Sequence, residues 1–153
     1  PVPLDATGRA QAQELADVVA RLTPTMLVTS NIARAQETAA IVAARVGLEP
    51  VVDDRFAETD AGDWTDRSFA DVMAEAPDEF ARFAALDMTW GFPGGETFVQ
   101  QQERVLAGIA DWRAREIPGN VVIVCHGNTI RLVTGEVGEA APGRPGNGSI
   151  VGL

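Results

Sequence analysis

The sequence predicts an α/β fold of three layers, with a mostly parallel central sheet lying between helices. Two observations lead to this prediction. Short apolar runs alternate with amphipathic helical segments along the chain, and the Val-Val-Ile-Val run that ends at Val124 has no polar alternation. Such a run is typical of a central strand that helices cover on both faces. The 153 residues fit one domain, 1–153.

The first third of the chain predicts two alternations of helix and strand. Apolar residues at helical spacing indicate helices over residues 8–22 and about 32–46, and Gly47 is well placed to end the second helix. Short apolar runs at 26–28 and 50–52, bounded by turn residues, indicate buried strands.

The middle of the chain predicts a less regular region. Residues 53–66 lack a clean period and are rich in acidic side chains, which favours an exposed loop at an edge. Two short helices follow over 68–76 and 77–86, and residues 66–95 are interpreted as a helical and loop insertion packed over the sheet and over any site at its edge. The apolar stripe from residue 98 predicts a long helix that ends near residue 117.

The end of the chain carries few periodic signals. Residues 135–148 are rich in Gly and Pro and predict a loop or a frayed helix end. Residues 150–153 are apolar enough to predict a last short strand.

Composition and charge narrow the classes of partner. A net charge of -10 opposes a nucleic-acid backbone, and no apolar run is long enough for a membrane span. A few arginines in a cleft can still bind a small phosphorylated substrate. The single cysteine, Cys125, and the absence of a secretion signal favour the cytoplasm. The sequence does not determine the oligomeric state and is compatible with a homodimer.

The segment Cys125-His126-Gly127-Asn128 directly follows the strongest predicted strand and precedes a predicted helix. Ligands of α/β proteins bind at this edge of the sheet, where the first N–H groups of the next helix attract anions. His126 can therefore bind a phosphoryl oxygen, although a structural histidine satisfied by backbone groups is the alternative. It is the only histidine, which excludes a metal site built from several histidines.

Two further segments carry candidate residues. Arg34 follows the end of another predicted strand and lies in the first turn of a helix, where its guanidinium can reach the same anion or can simply face solvent. The loop that contains Glu58, Asp60 and Asp63 offers three carboxylates, and the residues alone do not choose among them.

Taken in order, four segments resemble motifs of the histidine phosphatase (phosphoglycerate-mutase-like) superfamily. Residues 3–12 resemble its Pro-Leu-Thr-x-x-Gly-x-x-Gln-Ala entry to the first helix, with Asp5 in place of Thr. Residues 30–38 resemble Ser-x-x-x-Arg-Ala-x-x-Thr, residues 56–64 resemble Leu-x-Glu-x-x-x-Gly-x-Trp, and residues 125–128 resemble the second His-Gly pair.

The resemblance implies a phosphoglycerate-mutase-like fold and a set of roles. Arg34 becomes a phosphate-binding and catalytic arginine, Glu58 the general acid, and His126 the second catalytic histidine. His126, Gly127 and Asn128 would also bind the phosphate. The family's chemistry requires neither a metal nor another cofactor, since cationic side chains offset the phosphoryl charge.

The family's nucleophile is a histidine in an Arg-His-Gly segment upstream of the first of these motifs. The sequence begins at Pro1, so we expect this first strand and its histidine upstream of the printed residues. The resemblance then predicts a phosphatase that hydrolyses small phosphate monoesters through phosphohistidine. One alternative is phosphoryl transfer of the phosphoglycerate mutase type, which the compact stretch between Glu58 and His126 disfavours. A second alternative is a catalytically silent relative that binds a phosphorylated ligand or a partner protein.

Overall fold

The structure, a computed structural model, describes residues 2–136 and 147–153. The chain divides into two compact units. We call the first, formed by Pro1–Glu58 and Val105–Leu153, the sheet unit, and the second, Thr59–Arg104, the aromatic unit. The predicted insertion over 66–95 falls within the aromatic unit, and its position over an active site stays a prediction.

Six α-helices are present in the described residues. They are α1 (Ala6–Arg21), α2 (Ala33–Val46), α3 (Phe69–Glu75), α4 (Pro77–Ala84), α5 (Phe98–Ala114) and α6 (Gly127–Glu136). Short 3₁₀ helices lie at Asp54–Phe56 and Gly62–Trp64. The order of helices and strands confirms the predicted α/β class.

Three parallel strands form the sheet of the sheet unit. They are β1 (Pro24–Thr29), β2 (Pro50–Val52) and β3 (Asn120–Val124), in the order β2-β1-β3. Thr29 is aligned with Val52 on one side and with Val124 on the other. The carboxyl ends of all three strands therefore lie at one edge of the sheet.

Local sequence explains where the first two helices begin and end. Asp5, which stands where the family motif has Thr, is the N-cap of α1, and its Oδ1 accepts a hydrogen bond of 2.7 Å from the Gly8 backbone N–H. Gly47 ends α2 with a φ of 73°, in the left-handed region that glycine adopts without a steric penalty. The aspartate therefore preserves the capping function of the motif.

Helices cover both faces of the sheet, which makes the sheet unit three-layered. On one face, Leu27 of β1 packs with buried residues of α1 and α2, and the β3 residues Val122 and Val124 contact the same cluster. On the other face, Val28 of β1 packs with Val105 and Trp112 of α5. Because neighbouring residues of one strand face opposite layers, the uninterrupted apolar pattern of the strands is explained.

Aromatic side chains form the core of the aromatic unit. Their rings lie with centroids 4.8–6.5 Å apart, in the range of favourable aromatic pairs. The buried rings are Trp64, Phe83, Trp90, Phe92 and Phe98. The Ser68 hydroxyl accepts a hydrogen bond from the Asp71 backbone N–H and caps α3, as its position in the sequence predicts.

Three sequence-based expectations about the elements were wrong. Residues 53–66 are not simply an exposed loop, because they contain two 3₁₀ helices and bury Phe56 and Trp64. The helix expected to reach residue 117 ends at Ala114. Residues 150–153 are described and form no strand.

The expected central place of β3 was also wrong for the described residues. There β1 is the central strand and β3 pairs with β1 alone, and the apolar side chains of β3 are only half-buried. The loop or frayed end predicted over 135–148 falls mostly on residues 137–146, which lie outside the described residues.

Candidate active site

His126 lies at the carboxyl edge of the sheet, two residues after the end of β3. Its ring is buried, and Nε2 lies 2.8 Å from Oγ of Ser30, which directly follows the neighbouring strand β1. The Ser30 backbone N–H also donates to the Val124 carbonyl oxygen at 3.0 Å. The two segments that sequence analysis selected separately are therefore joined by hydrogen bonds.

Arg34 lies in the first turn of α2, as its spacing from β1 predicts. Its side chain is half-buried, and it forms no ion pair with any of the residues that the structure describes. A half-buried guanidinium without a carboxylate partner there retains its donors for an anion.

Glu58 follows the first 3₁₀ helix and lies at the end of the first segment of the sheet unit. The preceding residue, Ala57, accepts a hydrogen bond of 3.3 Å from the hydroxyl of Thr129, which lies in the first turn of α6. This contact ties the Glu58 segment to the helix that begins directly after His126.

The proximity of Glu58 to this edge is also visible in the electrostatics of Cys125. Burial raises the pKa of the Cys125 thiol to about 12, and the negative charge of Glu58 adds to that increase. The thiol therefore stays protonated at neutral pH and is a poor nucleophile. Glu58 must lie within electrostatic range of the residue that precedes His126.

The first turn of α6 is open on the side of Gly127. A Cβ added at Gly127 would meet no heavy atom within 4 Å, so the backbone here is accessible to a ligand. Asn128 is half-buried, and its side-chain oxygen lies 3.5 Å from Nη1 of Arg131. The helix that begins here is ten residues long, and the positive end of its dipole favours an anion.

The other two carboxylates of the acidic loop, Asp60 and Asp63, belong to the aromatic unit. Asp60 accepts a hydrogen bond of 3.0 Å from the Gly62 backbone N–H through its Oδ1. A Cβ added at Gly94 would lie 3.0 Å from the carboxylate of Asp63, so the Asp63 side chain lies against the turn that contains Gly94. Both carboxylates thus contact backbone turns of their own unit.

Sequence reasoning assigned no role to Ser30 and Thr129. Ser30 is the first residue of the Ser-x-x-x-Arg-Ala-x-x-Thr segment, so its place in the motif was the available signal, but its contact with His126 depends on strand pairing. Thr129 gave no such signal, since its partner Ala57 is distant in sequence.

Within residues 2–136 and 147–153, no group of three or more His, Cys, Asp or Glu side chains is arranged to hold a metal ion. In the same residues, no helix has the length and apolar character that crossing a membrane requires.

The sequence profile of the histidine phosphatase superfamily (branch 1) matches residues 1–150 of the chain. The chain belongs to this superfamily. The match confirms the family that the motifs indicated, and with it the phosphoglycerate-mutase-like α/β fold.

Relatives within the histidine phosphatase superfamily include named phosphatases. The glucosyl-3-phosphoglycerate phosphatase of Mycobacterium tuberculosis is 36% identical over 140 residues, covering 86% of this chain and 62% of that protein. Phosphoserine phosphatase 1 of Hydrogenobacter thermophilus is 30% identical over 123 residues, covering 80% of this chain and 58% of that protein. This chain therefore spans less than two thirds of the length of these relatives.

A solved structure gives the same result for the fold. The native structure of a mycobacterial glucosyl-3-phosphoglycerate phosphatase superposes with a TM-score of 0.85 at 34% identity, covering 97% of this chain and 77% of that one. A complex of that enzyme with inorganic phosphate superposes with a TM-score of 0.82.

Proposed function

We propose that this member of the histidine phosphatase superfamily is a phosphatase that hydrolyses small phosphate monoesters through a phosphohistidine intermediate. The observation that carries the proposal is the 2.8 Å contact between His126 and Ser30, because it brings the segment of Arg34 and the second His-Gly pair to one edge of the sheet. The names of the relatives favour hydrolysis over a mutase reaction.

In the proposed first step, the histidine that we expect upstream of Pro1 attacks the phosphorus atom, and the bond to the leaving oxygen breaks. Glu58 donates its proton to that oxygen, which leaves as an alcohol. In the second step, water attacks the phosphohistidine, its proton passes to the Glu58 carboxylate, and the phosphorus–nitrogen bond breaks to release inorganic phosphate.

The remaining site residues would bind the transferring group. Arg34, His126 and the backbone at Gly127 would surround its oxygens and offset the charge of the transition state, the electrostatic contribution that usually dominates phosphoryl transfer. Asn128 adds a polar side chain at the same turn. We propose that this reaction requires no metal ion, that the insertion over 66–95 covers the site, and that the protein acts in the cytoplasm.

The experiment that tests the proposal is hydrolysis by the full-length protein with EDTA present, comparing a sugar phosphate with an aryl phosphate. E58Q should lower kcat for the sugar phosphate by about 100-fold, the scale of general acid catalysis, because an alkoxide is a poor leaving group. The aryl phosphate should lose much less, since its leaving group needs little protonation.

The matched controls are Asp60→Asn and Asp63→Asn, which alter nearby carboxylates outside the proposed mechanism. Each should change kcat for either substrate by less than about threefold. Equal losses on both substrates in E58Q, or a larger loss in D60N, would show that Glu58 is not the acid. Loss of activity with EDTA that a divalent ion restores would contradict the metal-independent mechanism.

A further inference from the structure

An ion-pair network lies next to the Glu58 segment and has no role in the proposed mechanism. Arg55 donates two hydrogen bonds to the Asp53 carboxylate, from Nε at 3.0 Å and from Nη2 at 2.7 Å, and a third from Nη1 to Asp111 of α5. Trp112 of α5 donates from its indole N–H to the same Asp53 carboxylate at 2.8 Å. We call these four residues, Asp53, Arg55, Asp111 and Trp112, the Asp53 network.

The Asp53 network fixes the start of the turn that leads to Glu58. The Asp53 backbone N–H donates to the Thr29 carbonyl oxygen at 2.9 Å, at the carboxyl end of β1. The Asp53 side chain also accepts a hydrogen bond of 3.0 Å from the Arg55 backbone N–H and so caps the first 3₁₀ helix. This turn is therefore tied to the strand end and to α5 at once.

Packing holds the next residues of the same turn. Phe56 is buried, and a Cβ added at Gly108 of α5 would lie 3.0 Å from its ring. Ala57 then donates its backbone N–H to Asp54 at 3.0 Å and accepts the hydrogen bond from Thr129. Glu58 is the residue that follows these anchors, three positions after Arg55.

The geometry of the Asp53 network differs from that of an ordinary surface ion pair. The Asp53 side chain is 11% exposed and the Arg55 side chain 31%, whereas the surface pair Arg45–Asp17 is 57% and 62% exposed. Exposed pairs usually contribute little to stability, while a forked guanidinium contact to a mostly buried carboxylate fixes orientation. The network is therefore suited to holding a backbone segment in one position.

We propose that the Asp53 network positions Glu58, so that Arg55 acts on catalysis through the general acid and not through the phosphate. The proposal rests on the proposed function, because it requires Glu58 to protonate the leaving oxygen. Small displacements of a catalytic group lower the rate of the step that this group assists. Loss of Arg55 should consequently weaken acid catalysis selectively.

The test is R55M in the full-length protein, assayed on the sugar phosphate and the aryl phosphate. We expect kcat for the sugar phosphate to fall about tenfold, with KM within about twofold and the aryl phosphate nearly unaffected. R45M is the matched control, since it also removes an arginine from an ion pair of 2.8 Å, and should leave both rates unchanged.

A double-mutant cycle separates positioning from a merely structural role. In an E58Q background, R55M should cost less than about twofold on the sugar phosphate, because the group that it positions is already inactive. D111N is a second variant, and it should fold normally because the Asp111 side chain is 63% exposed. It should lower kcat for the sugar phosphate about threefold and leave kcat for the aryl phosphate nearly unchanged. R55K should recover part of the loss.

Equal losses on both substrates in R55M and D111N, or additive losses in the double mutant, would overturn the positioning role, as would the absence of any loss. That failure is distinguishable from failure of the proposed function. If E58Q alone does not discriminate between the two substrates, the acid assignment is wrong whatever R55M does.

Discussion

The sheet unit and the aromatic unit are stabilised by different kinds of core. In the sheet unit, the buried residues of α1, α2 and β1 are mostly alanine, valine and leucine, and they repeat along regular helices and strands. In the aromatic unit, large rings come from short helices and turns, with Phe83 in contact range of Trp64, Trp90, Phe92 and Phe98.

This difference predicts how each unit responds to mutation. An aliphatic core distributes burial over many similar residues, so a single truncation removes little of the total. An aromatic core concentrates burial in a few rings, each of which covers a large area. The proposed site residues all lie in the sheet unit, whereas the aromatic unit has the more vulnerable core.

The largest expected effect is therefore that of truncating the most central ring of the aromatic unit. Phe83 is 1% exposed, and F83A should lower the free energy of unfolding by about 4 kcal/mol. V42A, at a position of α2 with 0% exposure, should cost about 2 kcal/mol. Denaturant unfolding followed by circular dichroism measures both values.

Hydrogen exchange shows where each loss is located. In F83A the increased exchange should be concentrated in 59–104, because all of the ring contacts given above lie there. A larger loss for V42A than for F83A, or increased exchange in β1 and β3 alone, would show that the two cores do not differ as described.

Substitutions at two glycines with positive φ should lower the free energy of unfolding by less than F83A does. Gly62, with a φ of 48°, lies so close to the Pro93–Gly95 turn that an added Cβ would be 2.3 Å from the Pro93 carbonyl oxygen. G62A should cost about 3 kcal/mol, since the clash adds to the backbone strain. G47A should cost only about 1 kcal/mol, because φ is 73° but nothing lies within 4 Å.

Unfolding of both glycine variants under the same conditions gives the comparison directly. Equal costs would mean that positive φ alone matters and that the contact between the two turns of the aromatic unit is not rigid. G91A is a useful third variant, because its Cβ would meet the Thr97 side chain at 2.5 Å without positive φ.

The two units also differ in how much of them the sequence predicted. The helices and strands of the sheet unit have simple apolar periods, so α1, β1, α2 and β2 lie within two residues of their predicted bounds. In the aromatic unit the short helices α3 and α4 were predicted from Ser68 and Pro77, which begin them. Local signals were sufficient in both cases.

Features that depend on distant contacts were not predictable in this way. The 3₁₀ turns and the burial of Phe56 and Trp64 follow from packing against residues far along the chain, which have no periodic signature. The contact of His126 with Ser30 was not predictable either, because it depends on the pairing of β1 with β3, and the sequence of a single strand does not specify its neighbours in the sheet. Positions after predicted strand ends were enough to make His126 and Arg34 candidates, whereas Glu58 was chosen from the carboxylates of its loop only through the resemblance to a family.

The smallest expected effect compares an acidic residue of each unit. Hydrogen bonds from Arg55 hold the pKa of Asp53 at about 2, against an ordinary value of 3.8. Hydrogen bonds from Thr89 and then Arg82 hold the pKa of Asp87 at about 2 as well. Because both values are lower in the folded state, the stability that they provide is present above pH 4 and is lost as pH falls towards 2.

The Asp53 carboxylate should contribute less than about 1 kcal/mol in that window, because solvent screens part of its interaction with Arg55, and the more exposed Asp87 should contribute less still. D53N keeps an oxygen that can cap the 3₁₀ helix but removes the charge, so it should flatten the decline of unfolding free energy between pH 4 and pH 2. D87N should flatten it only slightly, and added salt should abolish that smaller difference first. Denaturant unfolding of the three proteins at pH 2, 3, 4 and 6 measures these slopes. If the free energy of unfolding of D53N declines as steeply as that of the parent protein, Arg55 does not hold Asp53 ionised. The Asp53 network is then weaker than its hydrogen bonds indicate.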